Sequence, residues 1–191
     1  MKSTWFFLIK PKAERYNNTK KIGDKELILN SEVFNHQYIS RVGIVVGLPT
    51  QYETSIKIGD EVIIHHNVFR RWHDAKGKER NSGSYISEDL YKVSIDQIFA
   101  YKTKTWQALP GYSFIKPLQN EDGTEANQIG IIKYSDGTFK KGDLVGYNPA
   151  AEYEFIIDNE RFYRVRNIFI EIKYEYTGKE REYNPSWLQS S

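Results

Sequence analysis

Histidine supplies metal ligands and proton-transfer groups more readily than any other side chain, and this chain carries His36, His65, His66 and His73. Only His65-His66, followed by His73-Asp74, has the look of a ligand cluster. Adjacent strand residues point to opposite faces, so His65 and His66 are not expected to share a metal ion. Cysteine is absent, which removes thiolate zinc sites and disulfides. These histidines read as polar residues flanking a loop, with no bound metal or cofactor expected. Glycine-rich phosphate loops, the H-E-x-x-H zinc motif and the G-x-S-x-G nucleophile elbow are all missing. The chain is therefore expected not to be an enzyme.

The second chemical grouping is Arg70-Arg71-Trp72-His73 with Lys76, Lys78 and Arg80. Cations for phosphate and an aromatic ring for base stacking are what a single-strand binder uses. Asp74, Glu79, Glu88 and Asp89 lie nearby, however, and 27 Lys and Arg against 25 Asp and Glu leave a formal net charge of only +2. That balance gives no strong field for nucleic acid or an anionic membrane. A solvated loop, or one making protein contacts through Arg70, Arg71 and Trp72, is the preferred reading.

The elements that must hold these residues are strands. Aromatic residues are 15% of the chain, with 14 Tyr and 10 Phe, types that favour pleated, half-buried surfaces. No segment has the periodicity of a helix of normal length, and Ser94-Ile95-Asp96-Gln97 would cap a turn at most. The apolar run Trp5-Phe6-Phe7-Leu8-Ile9 is shorter than a signal-peptide core or a membrane span, so a cytoplasmic location, or a place in a soluble assembly, is expected.

Internal repetition is the strongest signal. Phe7-Leu8-Ile9-Lys10-Pro11 recurs as Ser113-Phe114-Ile115-Lys116-Pro117, and Val42-Gly43-Ile44-Val45-Val46 as Ile129-Gly130-Ile131-Ile132-Lys133. Ile56-Lys57-Ile58-Gly59-Asp60-Glu61-Val62 recurs as Phe139-Lys140-Lys141-Gly142-Asp143-Leu144-Val145. Leu90-Tyr91-Lys92-Val93 with Ile98-Phe99 recurs as Phe162-Tyr163-Arg164-Val165 with Ile168-Phe169. Four matches in one order imply two copies of a small β unit: residues 1–102, residues 112–175, and a polar tail 176–191 that is either a loose end or a docking arm. Lys-x-Gly-Asp reads as a turn, and Pro11 and Pro117 should end a strand or mark a sheet edge. The expected fold class is all-β, two tandem small, partly open barrels without long helices.

The copies differ in their loops. Copy one alone has a long insert, residues 16–40, and a long loop, residues 67–84, and long loops on compact scaffolds are usually functional. Inside the insert, Leu27-Ile28-Leu29 reads either as an ordinary extra strand continuing towards Val33-Phe34 or as an apolar triplet that folds onto a partner's groove.

In order, these blocks resemble the GroES-type co-chaperonins, including divergent versions carried by bacteriophages. The shared elements are an opening strand, a long loop with an aliphatic triplet, an x-G-x-V strand, a K-x-G-D-x-V step, a hairpin and a closing strand. The resemblance implies a ring-forming homo-oligomer that docks on a chaperonin through Leu27, Ile28 and Leu29, with residues 65–85 as a roof hairpin. It implies a place in the cytoplasm, or in a virion if the chain is phage-encoded. Lys25-Glu26 stand where that family has glycines. A structural assembly protein, such as a virion component reusing the barrel, is the alternative, and a single-strand binder the third reading.

Overall fold

The computed structural model describes residues 2–15, 19–22, 25–28 and 39–189. The chain divides into two compact units, Met1–Thr105 and Trp106–Ser191. The first contains β1 (Phe7–Pro11), β2 (Thr19–Ile22), β3 (Lys25–Ile28), β4 (Val42–Gly47) and β5 (Glu61–Ile64). It continues through β6 (Arg71–His73), β7 (Glu79–Asn81), β8 (Tyr85–Ser87), β9 (Leu90–Val93) and β10 (Ile98–Lys102). The second contains β11 (Trp106–Ala108), β12 (Tyr112–Gln119), β13 (Glu125–Ser135), β14 (Leu144–Tyr147) and β15 (Tyr153–Ile157). After these come β16 (Glu160–Arg166), β17 (Ile170–Tyr174) and β18 (Arg181–Glu182). The fold is all-β. Among the described residues the α-helical structure is one turn, Ser186–Gln189, and none is long and apolar enough to cross a membrane.

Hydrogen-bonded neighbours in the first unit run β10-β5-β4-β1-β9-β8; in the second they run β17-β14-β13-β12-β16-β15. Strand for strand the paths are equivalent, all pairs are antiparallel, and neither closes into a barrel among the described residues. The registers agree too. Pro11 faces Gly43 as Pro117 faces Gly130, and the pairing slips between Leu8 and Ile9 as between Phe114 and Ile115. A bulge at the same place in both copies gives both sheets the same local twist.

The glycine of each x-G-x-V block is required by close approach. A Cβ on Gly43 would overlap the Ile9 side chain, and one on Gly130 would overlap the Lys116 carbonyl. The Lys-x-Gly-Asp turns also match: Gly59 and Gly142 have φ of 94° and 93°, a region that L side chains avoid. Asp60 and Asp143 each accept the amide N–H of the turn's lysine, at 2.8 and 3.0 Å.

In one place the repeat is misaligned by sequence. Ile98 pairs with Ile64 as Ile170, not Ile168, pairs with Tyr147. Ile168-Phe169 belongs to a 3-10 turn, Asn167–Phe169, that matches the turn Ile95–Gln97, and Ile168 is 78% exposed. A two-residue slip keeps each side chain on its face, so alternation alone could not detect it. Pro117 departs from expectation as well, since it lies inside β12, a central strand. It sits where pairing with β16 stops at Ile115 and pairing with β18 begins at Leu118, so no ladder donor is missing on that side.

Each unit has its own core. Phe7, Ile9, Val45, Ile56, Val62, Ile63, Phe69, Tyr91 and Val93 are buried in the first. Ile115, Ile132, Val145, Tyr147, Tyr163 and Val165 form a buried cluster in the second. Among its described residues the tail packs on its own unit: β18 pairs with β12, Tyr183 N–H donates to the Pro117 carbonyl, and Asn184 accepts the Arg161 amide N–H at 3.0 Å.

Candidate functional site

Because the sheets match, the first unit's individuality lies in two insertions. The first carries β2 and β3, which pair antiparallel, with Thr19 opposite Ile28 and Lys20 opposite Leu27. This ribbon joins neither sheet among the described residues. Lys25-Glu26 therefore stand in strand backbone, and Leu27 and Ile28 end β3. Leu29, Val33-Phe34 and His36 lie outside the described residues. The second unit spans the equivalent gap with a tight turn. Gly123 N–H donates to the Asn120 carbonyl at 3.0 Å and Asn120 N–H to the Thr124 carbonyl at 2.8 Å. Asp122 accepts the Thr124 hydroxyl and amide at 2.6 and 2.9 Å, which together hold its carboxyl below the usual range.

The second insertion is the hairpin β6–β7, in register Arg71–Asn81, Trp72–Arg80 and His73–Glu79. Asp74 closes its tip. Its carboxylate accepts the Lys76 and Lys78 amides at 2.9 and 3.0 Å and the Arg80 Nε–H at 2.9 Å. The Lys78 amide foremost keeps that carboxyl ionised below its ordinary pKa.

The hairpin's base rests on Arg15, a residue that no sequence motif singles out. Only 7% exposed, it donates from Nε to the Phe69 carbonyl at 2.6 Å. Its Nη2 donates to the Arg70 carbonyl at 3.0 Å and to Asn81 Oδ1 at 2.6 Å. The guanidinium lies over the Tyr85 and Tyr91 rings, 5.6 and 5.4 Å from their centroids. Planar geometry and several fixed donors suit arginine, rather than lysine, to tying a hairpin's carbonyls to a sheet. In the sequence Arg15 is one cation in Lys12-Ala13-Glu14-Arg15, indistinguishable from a solvated one.

Between the hairpin's base and β9 lies a groove of about 440 Å³ with Phe6, Arg70, Trp72 and Lys92 on its walls. Arg70 sits 5.8 Å from the Trp72 ring and Lys92 5.8 Å from the Phe6 ring. Of the nominated contact residues, Arg70 and Trp72 thus meet here. Arg71 does not line the groove; it pairs with Glu79 at 3.8 Å.

The histidines need a correction. β5 ends at Ile64, so strand alternation does not govern His65 and His66, whose rings stack with centroids 4.3 Å apart. Val68 N–H donates to the His65 carbonyl, a turn that brings both rings to one side. His65 Nδ1 accepts the Asn67 N–H at 3.1 Å. Among the described residues no three His, Asp or Glu side chains are grouped as metal ligands.

The second unit has its own polar network, also unforeseen. Arg161 bridges Glu125 and Glu154 at 2.9 and 2.7 Å, and the Tyr163 hydroxyl donates to Glu125 at 2.6 Å. Lys116, 2% exposed, pairs with Glu160 at 3.0 Å and lies over Phe162. These pairs staple the sheet. Compared with models of known families and with curated proteins, the chain matches none.

Proposed function

We propose that the chain is a non-catalytic, co-chaperonin-like assembly protein, similar to the GroES type, that forms a ring of copies and docks on a chaperonin through residues 27–29. The observation that carries this reading is the β2–β3 ribbon. It interrupts one of two otherwise equivalent sheets, pairs with itself, and bears Leu27-Ile28 at its end. An apolar segment on such a ribbon gives weak single contacts, and a ring multiplies them by avidity. Assembly is further supported by β17, the terminal strand of the second path, where Ile172 and Tyr174 are exposed near Ile168, Phe169 and Tyr176. Isolated soluble sheets seldom leave such a run on an edge.

Size measurement in solution, with and without a chaperonin, tests both halves of the proposal. A particle several times the mass of one chain, joining the chaperonin when it is added, is expected. Replacing Leu27, Ile28 and Leu29 with Ser should abolish the joint species and leave the fold intact. Unfolding of that variant would instead assign the triplet to a core, at about 2–5 kcal/mol per buried truncation. A folded variant that loses only its own higher-order assembly would favour the virion-component reading.

A further inference from the structure

We propose that the groove beneath the first unit's hairpin is a nucleotide-binding site, with Trp72 receiving a flat ring and Arg70 and Lys92 the phosphate. The objection visible in the sequence was that Asp74, Glu79, Glu88 and Asp89 lie nearby. In the structure Asp74 holds Arg80 at 2.9 Å, Glu79 holds Arg71 at 3.8 Å, and neither Glu88 nor Asp89 lines the groove. Neither Arg70 nor Lys92 has a carboxylate partner among the described residues, and no acidic side chain lines the groove. Its volume of about 440 Å³ lies within the usual range for small-molecule sites. Its polar wall includes Asn67 and Gln97; Gln97 Oε1 accepts from Ser94 N–H and Oγ–H, leaving the amide nitrogen as a donor.

The second unit supplies an internal control. Register equates Lys92, opposite Leu8, with Arg164, opposite Phe114. Arg164 also lies against aromatic rings, but it is enclosed by two of them, Tyr112 and Tyr153, at 5.1 and 5.2 Å. Lys92 has only Phe6 behind it and stays exposed on the groove. The same cation position is thus closed in one unit and open in the other. Two unneutralised cations beside a half-buried indole match a phosphate joined to a base better than an acidic peptide, which has no use for the ring.

The test uses the full chain, a fluorescently labelled eight-nucleotide oligothymidylate read by anisotropy, and AMP as competitor. Binding that weakens about tenfold in each of Arg70→Gln, Lys92→Gln and Trp72→Ala is expected. With two phosphate contacts, log affinity should fall against log salt with a slope of about −1.4. Displacement by AMP would assign the site to free nucleotides as well as strands; binding that AMP does not displace would assign it to the strand. Thermal unfolding of each variant checks its fold, and Trp72→Phe, which keeps a ring, should retain most of the affinity. The proposal fails if neither probe binds, if R70Q and K92Q leave binding unchanged, or if inorganic phosphate or polyglutamate itself displaces the strand.

Discussion

Between β1 and β4 the first unit places residues 12–41, whereas β12 of the second turns into β13 through residues 120–124. Between β5 and β8 it adds a hairpin where the second unit runs from β14 to β15 across residues 148–152. The central ladder that these insertions interrupt is shared, including the bulge between Leu8 and Ile9 and the turn geometry, while β8–β9 carries a bulge that β15–β16 lacks. One sheet therefore tolerates elaboration at two loops without adjusting its ladder, because loop length changes closure entropy only slowly. The elaborated copy carries the candidate contacts. The plain copy carries the ion pairs that staple its own tail and sheet.

The sharpest way to break this comparison is at Arg15, which has no counterpart in the second unit's network. Arg15→Met strands the Phe69 and Arg70 carbonyls and Asn81, and should destabilise the first unit by about 4 kcal/mol. Hydrogen exchange should show β6–β7 losing protection first, with β12–β18 unaffected. Uniform loss across both units would show that the hairpin is not separately anchored.

Next come the paired glycines. Gly130→Ala drives a methyl into the Lys116 carbonyl and the Ile115 side chain and should cost about 3 kcal/mol, and Gly43→Ala, which meets the buried Ile9 side chain but comes less close to backbone, about 2 kcal/mol. Equal penalties from denaturant unfolding of the two variants would refute the distinction between backbone and side-chain crowding.

Tyr91 and Tyr163 occupy one register position, opposite Ile9 and Ile115. Tyr163→Phe loses a bond to a carboxylate and should cost about 2 kcal/mol, while the Tyr91 hydroxyl is buried without a partner among the described residues, so Tyr91→Phe should be neutral or stabilising. Burial pushes the Tyr91 pKa up to about 12 from 10.0. The unfolded chain then loses its proton first, so stability should fall as pH rises from 10 towards 12, and Tyr91→Phe should flatten that decline.

The smallest effect is expected at Asp143. Burial raises its pKa, but the hydrogen bonds from Lys173 and the Lys140 amide outweigh this, leaving the carboxyl below 3.8. Its contribution is present at neutral pH and is lost as pH falls below about 4 through the lowered value, so Asp143→Asn should soften the acid limb of second-unit unfolding. An unchanged acid limb would show that Asp143 contributes nothing to it.

Local chemistry made much of this legible in advance. Period-two alternation, a glycine required wherever β1 or β12 is crossed, and the Lys-x-Gly-Asp turn each act within a few residues, so they marked the strands and their repetition. A slip of two residues leaves alternation untouched, and only the ladder itself placed Ile170 opposite Tyr147. Long-range choices were equally silent. Which arginine is buried, which acids neutralise which cations, and where the tail goes depend on which residues the strands bring face to face. Arg15 meets Asn81, Asn184 meets Arg161, and Asp74 and Glu79 are engaged with Arg80 and Arg71, while Arg70 and Lys92 have no carboxylate partner among the described residues. Alternation and turn chemistry are written along the chain; charge pairing is written across the sheet, where sequence distance carries no information.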